Sequence, residues 1–264
     1  MAEIWLNGTL LPAESAGISP ADRGLLLGDG LFETIAVRQG QARDVDRHFA
    51  RLTTGAKLLR LTVPFDAAGV EVILNKVIAA NGLGEGGLRL TLTRGAGARG
   101  VLPSPCLVPT VLITSFPPPL LSGALSVIVA QSVRRDETSP LSAVKSLNYL
   151  PSILARIEAD ERGAGDAILL NHAGRVAEAS AGNVFFKLGG EWLTPPVAEG
   201  ALPGIRRARL LESGRVREAA LSLGDLRAAK GLCIGSVLAL RPVTIVEGMD
   251  IATDENEIAA LAEF

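Results

Sequence analysis

Three consecutive prolines, Pro117-Pro118-Pro119, constrain this chain most, because they interrupt its longest apolar region, Val111 to Ala130. Proline fixes φ and has no N–H to offer a ladder, so no regular strand runs through the triplet. Gly123 and nearby serines add further breaks, and a continuous membrane helix of ~20 residues does not fit there. The stretch from Phe116 to Ser122 reads instead as a stiff linker. It divides the 264 residues into a small N-terminal α/β domain (1–116), a Pro-rich linker (117–122) and a larger C-terminal domain (123–264). Both domains are long enough to bury a core.

Ahead of the linker, strand patterns at Ile4 to Leu6, Thr34 to Arg38, Leu88 to Arg94 and Thr110 to Ser115 flank helix patterns at Asp46 to Leu61 and Ala67 to Asn81. In the first helix Phe49, Leu52, Ala56 and Leu59 form one apolar stripe, with Arg47, His48 and Arg51 beside or off it. After the linker, strands dominate: Ala124 to Gln131, Asp166 to Asn171, Asn183 to Leu188, Glu191 to Thr194, Leu232 to Leu238 and Val243 to Glu247. Two helices interrupt them, one from Pro151 to before Gly163, one from Pro203-Gly204 to Gly214, each with proline near its start and glycine past its end. The expected fold class is α+β.

A chain that is 48% apolar and 20% charged, with formal net charge −2, has neither a disordered composition nor a basic bias toward nucleic acid or anionic membrane. The expected partner is a small molecule. Cys106 and Cys233 both lie in apolar stretches and read as reduced packing residues. His48 and His172 are the only histidines, so no metal site is expected. The start, Met1 to Gly8, lacks the basic and apolar regions of a signal peptide, and a cytoplasmic protein is expected.

Positive charge is carried by 21 arginines and only five lysines. One of the five, Lys145, stands in Val144-Lys145-Ser146-Leu147-Asn148-Tyr149-Leu150-Pro151, directly ahead of an apolar helix-like run. An ammonium among apolar residues loses hydration, which favours the free amine, and the amine can attack a carbonyl to form a Schiff base. Arginine cannot do this.

Two G-x-G-x-x-G matches occur, at Gly82, Gly84, Gly87 and at Gly95, Gly97, Gly100. Context argues against a dinucleotide site, since the first runs into a strand pattern and the second into Pro103 and Pro105, where a helix N-terminus is required. Arg99, on the second glycine-rich stretch, is either a solvated loop arginine or a clamp for a carboxylate. Arg206 and Arg207 follow Pro203-Gly204-Ile205 at a helix start, where backbone N–H groups and the helix dipole favour a phosphate. Gly235-Ser236 offers either further donors or a plain strand with a small residue. Glu178 leads the small-residue run Ala179-Ser180-Ala181-Gly182-Asn183, which leaves room for a flat ligand; a carboxylate there would hold a pyridine nitrogen protonated, unless it is an exposed hairpin glutamate.

Taken in order, Asp22-Arg23-Gly24 with Gly28-Asp29-Gly30-Leu31-Phe32-Glu33-Thr34, His48-Phe49-Ala50-Arg51-Leu52, Lys145-Ser146-Leu147-Asn148-Tyr149, Glu178 to Phe185, Leu202 to Arg207, Gly235-Ser236 and Arg241-Pro242-Val243 span nearly the whole chain. The chain thereby resembles the class IV (fold type IV) pyridoxal-phosphate aminotransferases, which include D-amino acid transaminases, branched-chain aminotransferases and 4-amino-4-deoxychorismate lyases. The resemblance implies a small N-terminal α/β domain, a larger sheet-rich pseudo-barrel domain, pyridoxal 5'-phosphate as cofactor and a homodimer. It implies that Lys145 forms the Schiff base and shuttles a proton between substrate Cα and cofactor C4′, and that Glu178 holds the ring nitrogen. Arg51 would bind the phosphate together with main-chain amides of Ile205 and Arg206 and with Ser236. Tyr149 would partner O3′ if one residue is skipped in the match, and Asn183 belongs to the same cofactor set.

For the substrate, the resemblance implies Phe32, Arg99 and Ser180. D-amino acid transaminases place tyrosine where Phe32 stands and histidine where Val101 stands, so only Arg99 survives of a carboxylate-gripping trio. Lys145-Ser146-Leu147-Asn148 is similar to the D-amino acid enzymes, and Arg94-Gly95-x-Gly97-x-Arg99-Gly100 to the lyases. The leading expectation is a transaminase exchanging an amino group between a D-amino acid and a 2-oxo acid. The rivals are a lyase giving 4-aminobenzoate and pyruvate, a branched-chain aminotransferase, and a non-catalytic cofactor-binding protein, against which Lys145 and Glu178 together argue.

Overall fold

The computed structural model describes residues 2–120 and 123–262; Leu121 and Ser122 of the expected linker lie outside the described residues. The chain divides into two compact units: residues up to Leu120 together with Val144–Asn148, and the remainder.

The first unit contains β1 (Glu3–Leu6), β2 (Thr9–Pro12), α1 (Arg23–Leu27), β3 (Gly30–Arg38), β4 (Gln41–Ala42), α2 (Val45–Leu59), α3 (Ala67–Ala80), β5 (Gly86–Thr93) and β6 (Thr110–Phe116). Its six strands form an antiparallel sheet in the order β2-β1-β6-β5-β3-β4. The expected stripe of α2 packs on this sheet: Leu52 and Ala56 are buried with Leu31, Ile35, Leu74, Leu88, Leu90 and Leu92, and Phe49 and Leu59 are partly buried beside them. Each fully buried aliphatic side chain contributes about 1.5–3 kcal/mol. His48, read as lying beside or off the stripe, is instead buried, because a carboxylate on β3 receives it.

Residues 144–148 were expected in the C-terminal part and group with the first unit instead. They pair with the start of β3: Phe32 N donates to Lys145 O, Leu147 N donates to Gly30 O (both 3.0 Å), and Leu31 bridges Ser146. Glycine is needed at Gly30, where a Cβ would lie 2.6 Å from Leu92 O and 2.8 Å from Leu147 Cδ1. Gly28, in the left-handed region at φ 65°, ends α1 just before this approach.

The second unit contains β7 (Leu125–Val129), α4 (Leu150–Glu161), β8 (Asp166–Leu170), β9 (Val176–Ala179), β10 (Asn183–Leu188), β11 (Glu191–Thr194), α5 (Ile205–Glu212), β12 (Arg217–Glu218), α6 (Leu223–Ala228), β13 (Leu232–Gly235), β14 (Leu240–Val246), β15 (Met249–Asp250) and α7 (Glu255–Ala262). Its nine-stranded sheet runs β12-β11-β10-β13-β14-β7-β8-β9, with β15 paired to β14. The sheet is mixed, since β7 runs parallel to both β14 and β8. Glu178 sits within β9, all four of whose residues are buried, and not on an exposed hairpin. Cys233 is buried on β13, as expected. Cys106, also expected to pack, is exposed, because it lies on the Pro-rich loop between β5 and β6, where no regular element carries its side chain to a core.

Among the described residues, no helix is long and apolar enough to cross a membrane.

Candidate active site

Lys145 is half-buried in the first unit, with its ammonium 4.4 Å from the centre of the Phe32 ring. The guanidinium carbon of Arg89, on β5, lies 3.8 Å from the centre of the same ring. Phe32 thus presents its π-system to two cations, which attracts each head group electrostatically. Arg89 escaped the sequence reading, because a single arginine in an alternating strand looks like an ordinary polar position.

Phe32 and Glu33 are consecutive in β3 and project to opposite faces. Glu33, 1% exposed, accepts from Arg51 Nε (2.8 Å, on Oε1) and Arg51 Nη2 (2.6 Å, on Oε2), and its Oε2 lies 2.6 Å from His48 Nδ1. Burial alone would raise the Glu33 carboxyl, but the hydrogen bonds from His48 and Arg51 outweigh it and hold the group below its usual range. The bidentate grip fixes the Arg51 fork on α2. Lys145 and Phe32 are therefore brought together, and Arg51 is grouped with Glu33 and His48. Arg99 lies on the exposed loop after β5.

In the second unit, Glu178 Oε1 lies 3.0 Å from Arg135 Nε, and Glu178 Oε2 accepts the Leu202 amide at 2.9 Å. Arg135 also donates to Gly200 O (3.0 Å) and Ser142 O (2.8 Å). The carboxylate is held in one orientation by a cation that sequence reading missed, as nothing in Arg134-Arg135 distinguishes it from a solvated pair.

Asn183 Nδ2 donates to Leu202 O (2.9 Å), fixing the turn that leads into α5. No side chain caps α5 at Gly204, so its first turn, with Ile205 and Arg206, presents backbone amides and the positive end of the helix dipole. Arg206 Nε donates to Ser236 O at 2.5 Å, which ties the start of α5 to the turn after β13. Ser236 Oγ accepts the Leu238 amide at 3.2 Å. Ile205, Arg206 and Ser236 are thus together, as an anion cradle requires. Arg207 is turned elsewhere, to Pro195 O (2.9 Å) and Glu218.

Ser180 is buried, with its hydroxyl on Asp166. Tyr149 stands at the start of α4 and, with Ile153, Arg156, Ile157, Ser180 and Ala181, lines an open groove of about 420 Å³. In the second unit, a fixed carboxylate that can accept a ring N–H and an uncapped helix start that can receive a phosphate are the groups a phosphorylated pyridine requires; in the first unit, Lys145 supplies an amine of the kind that adds to an aldehyde.

The family model for amino-transferase class IV matches residues 30–246. A protein of Methanocaldococcus jannaschii named as a putative branched-chain-amino-acid aminotransferase is 36% identical over 254 residues, covering 93% of this chain and 88% of that protein. The D-alanine aminotransferase of Bacillus licheniformis is 30% identical, with 95% and 90% covered. The crystal structure of 4-amino-4-deoxychorismate lyase from Pseudomonas aeruginosa superposes with a TM-score of 0.85 at 30% identity, covering 97% of each chain.

Proposed function

The chain belongs to the class IV aminotransferases, and we propose that within that family it exchanges an amino group between a D-amino acid and a 2-oxo acid. It has the fold type IV architecture, and its cofactor is pyridoxal 5'-phosphate. When bound, that group supplies an aldehyde carbon for amine exchange and a ring that withdraws electrons from the substrate Cα. The observation that carries the reading is the pairing of the Lys145 amine and the Arg89 guanidinium on one Phe32 ring.

In this reading Lys145 binds the cofactor aldehyde and moves the proton between substrate Cα and cofactor C4′. Arg89 and Arg99 hold substrate carboxylate, and the Phe32 ring orients both Lys145 and Arg89. Glu178, kept in place by Arg135 and the Leu202 amide, holds the proton on the ring nitrogen. Arg51, the amides of Ile205 and Arg206, and Ser236 bind the phosphate; Tyr149 meets O3′; Asn183 and Ser180 support these groups through Leu202 and Asp166.

Lys145-Ser146-Leu147-Asn148 and the similarity to the D-alanine enzyme support the D configuration. A second reading, transamination of L-branched-chain amino acids, is favoured by the 36% identical relative. Assays of the holoenzyme with D-alanine, L-leucine and aminodeoxychorismate, each with 2-oxoglutarate present, separate them. Turnover of D-alanine supports the first reading and preference for L-leucine the second. Aromatic product from aminodeoxychorismate without pyridoxamine accumulation overturns both. Borohydride should trap the cofactor on Lys145 in the wild type and not in Lys145→Ala.

A further inference from the structure

Asp22-Arg23-Gly24 and Gly28-Asp29-Gly30 have no part in the roles above, yet they build a continuous polar network in the first unit. Arg23 is 4% exposed. Its Nε donates to Asp29 Oδ2 (2.8 Å), its Nη1 to Gly100 O (2.8 Å) and its Nη2 to Val101 O (2.7 Å). Arg94 shares Asp29 through Nε (2.8 Å) and Nη2 (3.0 Å), and also donates to Leu59 O and Arg60 O at the end of α2 (both 2.8 Å). Asp22 accepts the Gly24 amide (2.8 Å) and the hydroxyls of Thr93 (3.0 Å) and Thr110 (2.6 Å).

The loop after β5 is pinned by this network on both sides of Arg99. Before it, Arg23 N donates to Gly95 O (2.9 Å) and Gly97 N donates to Ala21 O (3.1 Å). Gly95 has φ +87°, and a Cβ there would lie 1.8 Å from Val108 O, so only glycine fits this course of the backbone. After it, the Arg23 fork holds two consecutive carbonyls. Only Ala98 and Arg99 lie between the fixed points, and both are exposed. A buried guanidinium gripping the main chain fixes where the loop runs, which is the geometric condition for a side chain on that loop to meet a ligand in one orientation.

We propose that Arg23 is a positioning residue: oriented by Asp29, it holds the 95–101 backbone so that Arg99 is presented to the carboxylate of the amino or 2-oxo acid. This rests on the carboxylate role given to Arg99 above. Arg94 grips the other side of the same carboxylate, so Asp29 is held in place while it orients Arg23.

The test compares holoenzymes of wild type, Arg23→Met, Arg99→Ala and the double variant, with Asp29→Asn as a shape-preserving second variant should Arg23→Met fail to fold. Hydrogen–deuterium exchange of residues 95–102, cofactor affinity, and kcat and KM for whichever of D-alanine and L-leucine the wild type turns over are measured. Arg23→Met and Asp29→Asn should speed exchange at 98–101 and raise KM about tenfold, with kcat within about twofold and cofactor affinity unchanged. Arg23→Met should add nothing to Arg99→Ala. Unchanged exchange overturns the proposal. So does faster exchange with KM unmoved while Arg99→Ala raises it, and so does a multiplicative double variant. Wild-type KM in Arg99→Ala instead removes the carboxylate role of Arg99, and the proposal with it.

Discussion

Glu33 holds two arginine hydrogen bonds and a histidine contact at 1% exposure, so the fold requires its ionised form. Burial pushes the carboxyls of Glu33 and Asp29 up, but hydrogen bonds from their paired cations outweigh it and hold them below the ordinary 4.5 and 3.8. A carboxyl depressed in the folded state contributes stability that is complete above its unfolded value and is lost as pH falls through its folded value. Stability measured by denaturant titration should therefore be flat just above about pH 5 and decline progressively below that. Glu33→Gln should lower stability at neutral pH by about 3–5 kcal/mol, by removing the buried carboxylate that Arg51 and His48 share, and should flatten the acid slope. Arg135→Met leaves Glu178 with the Leu202 amide in place of the ion pair. It should lower kcat about tenfold or more while KM moves less, the pattern expected when an interaction with the ring nitrogen strengthens in the transition state; equal loss in kcat and gain in KM would sink that role. Of the residues given roles above, Lys145 and Glu178 were legible in the sequence as candidates by type and setting, and Arg51 through the resemblance alone. Arg89, Glu33 and Arg135 were not, because their significance lies in the side chain across from them.

Among the elements, α2, α3, α4, α5 and most strands were legible because a long apolar period or a Pro-before, Gly-after frame marks them. α1, five residues long, is too short for a period, and its Leu25, Leu26 and Leu27 are exposed. α6 did carry a readable signal, the Ser222/Asp225 capping box, which the strand-rich surroundings obscured. β9 was missed since small residues around Glu178 have weak strand propensity, and its pairing with β8 supplies what propensity does not. The turn into α5 is held by the bond from Asn183 to Leu202 O. Asn183→Ala should cost about 1 kcal/mol of stability and weaken cofactor binding severalfold. Fluorescence titration with pyridoxal phosphate measures the second effect, and wild-type affinity would show that the turn forms without Asn183.

For the molecule as a whole, α4 leaves Leu150, Ile153, Leu154 and Ile157 exposed at helical spacing. We propose that a second copy of the chain covers this stripe. Light scattering should give twice the chain mass for wild type, and Ile153→Glu should shift it toward monomer; a monomeric wild type would remove the homodimer reading. Family, cofactor chemistry and the order of the elements could be read from the residues in line, because motif order and hydrophobic period are local properties of the chain. Folding in three dimensions was needed to bring residues 144–148 to the first sheet, to set two cations on Phe32, to orient Glu178 with Arg135 and to close Arg23 on the loop of Arg99. Most of these contacts join residues far apart in sequence, and whether such groups meet depends on register and packing, which no local pattern encodes.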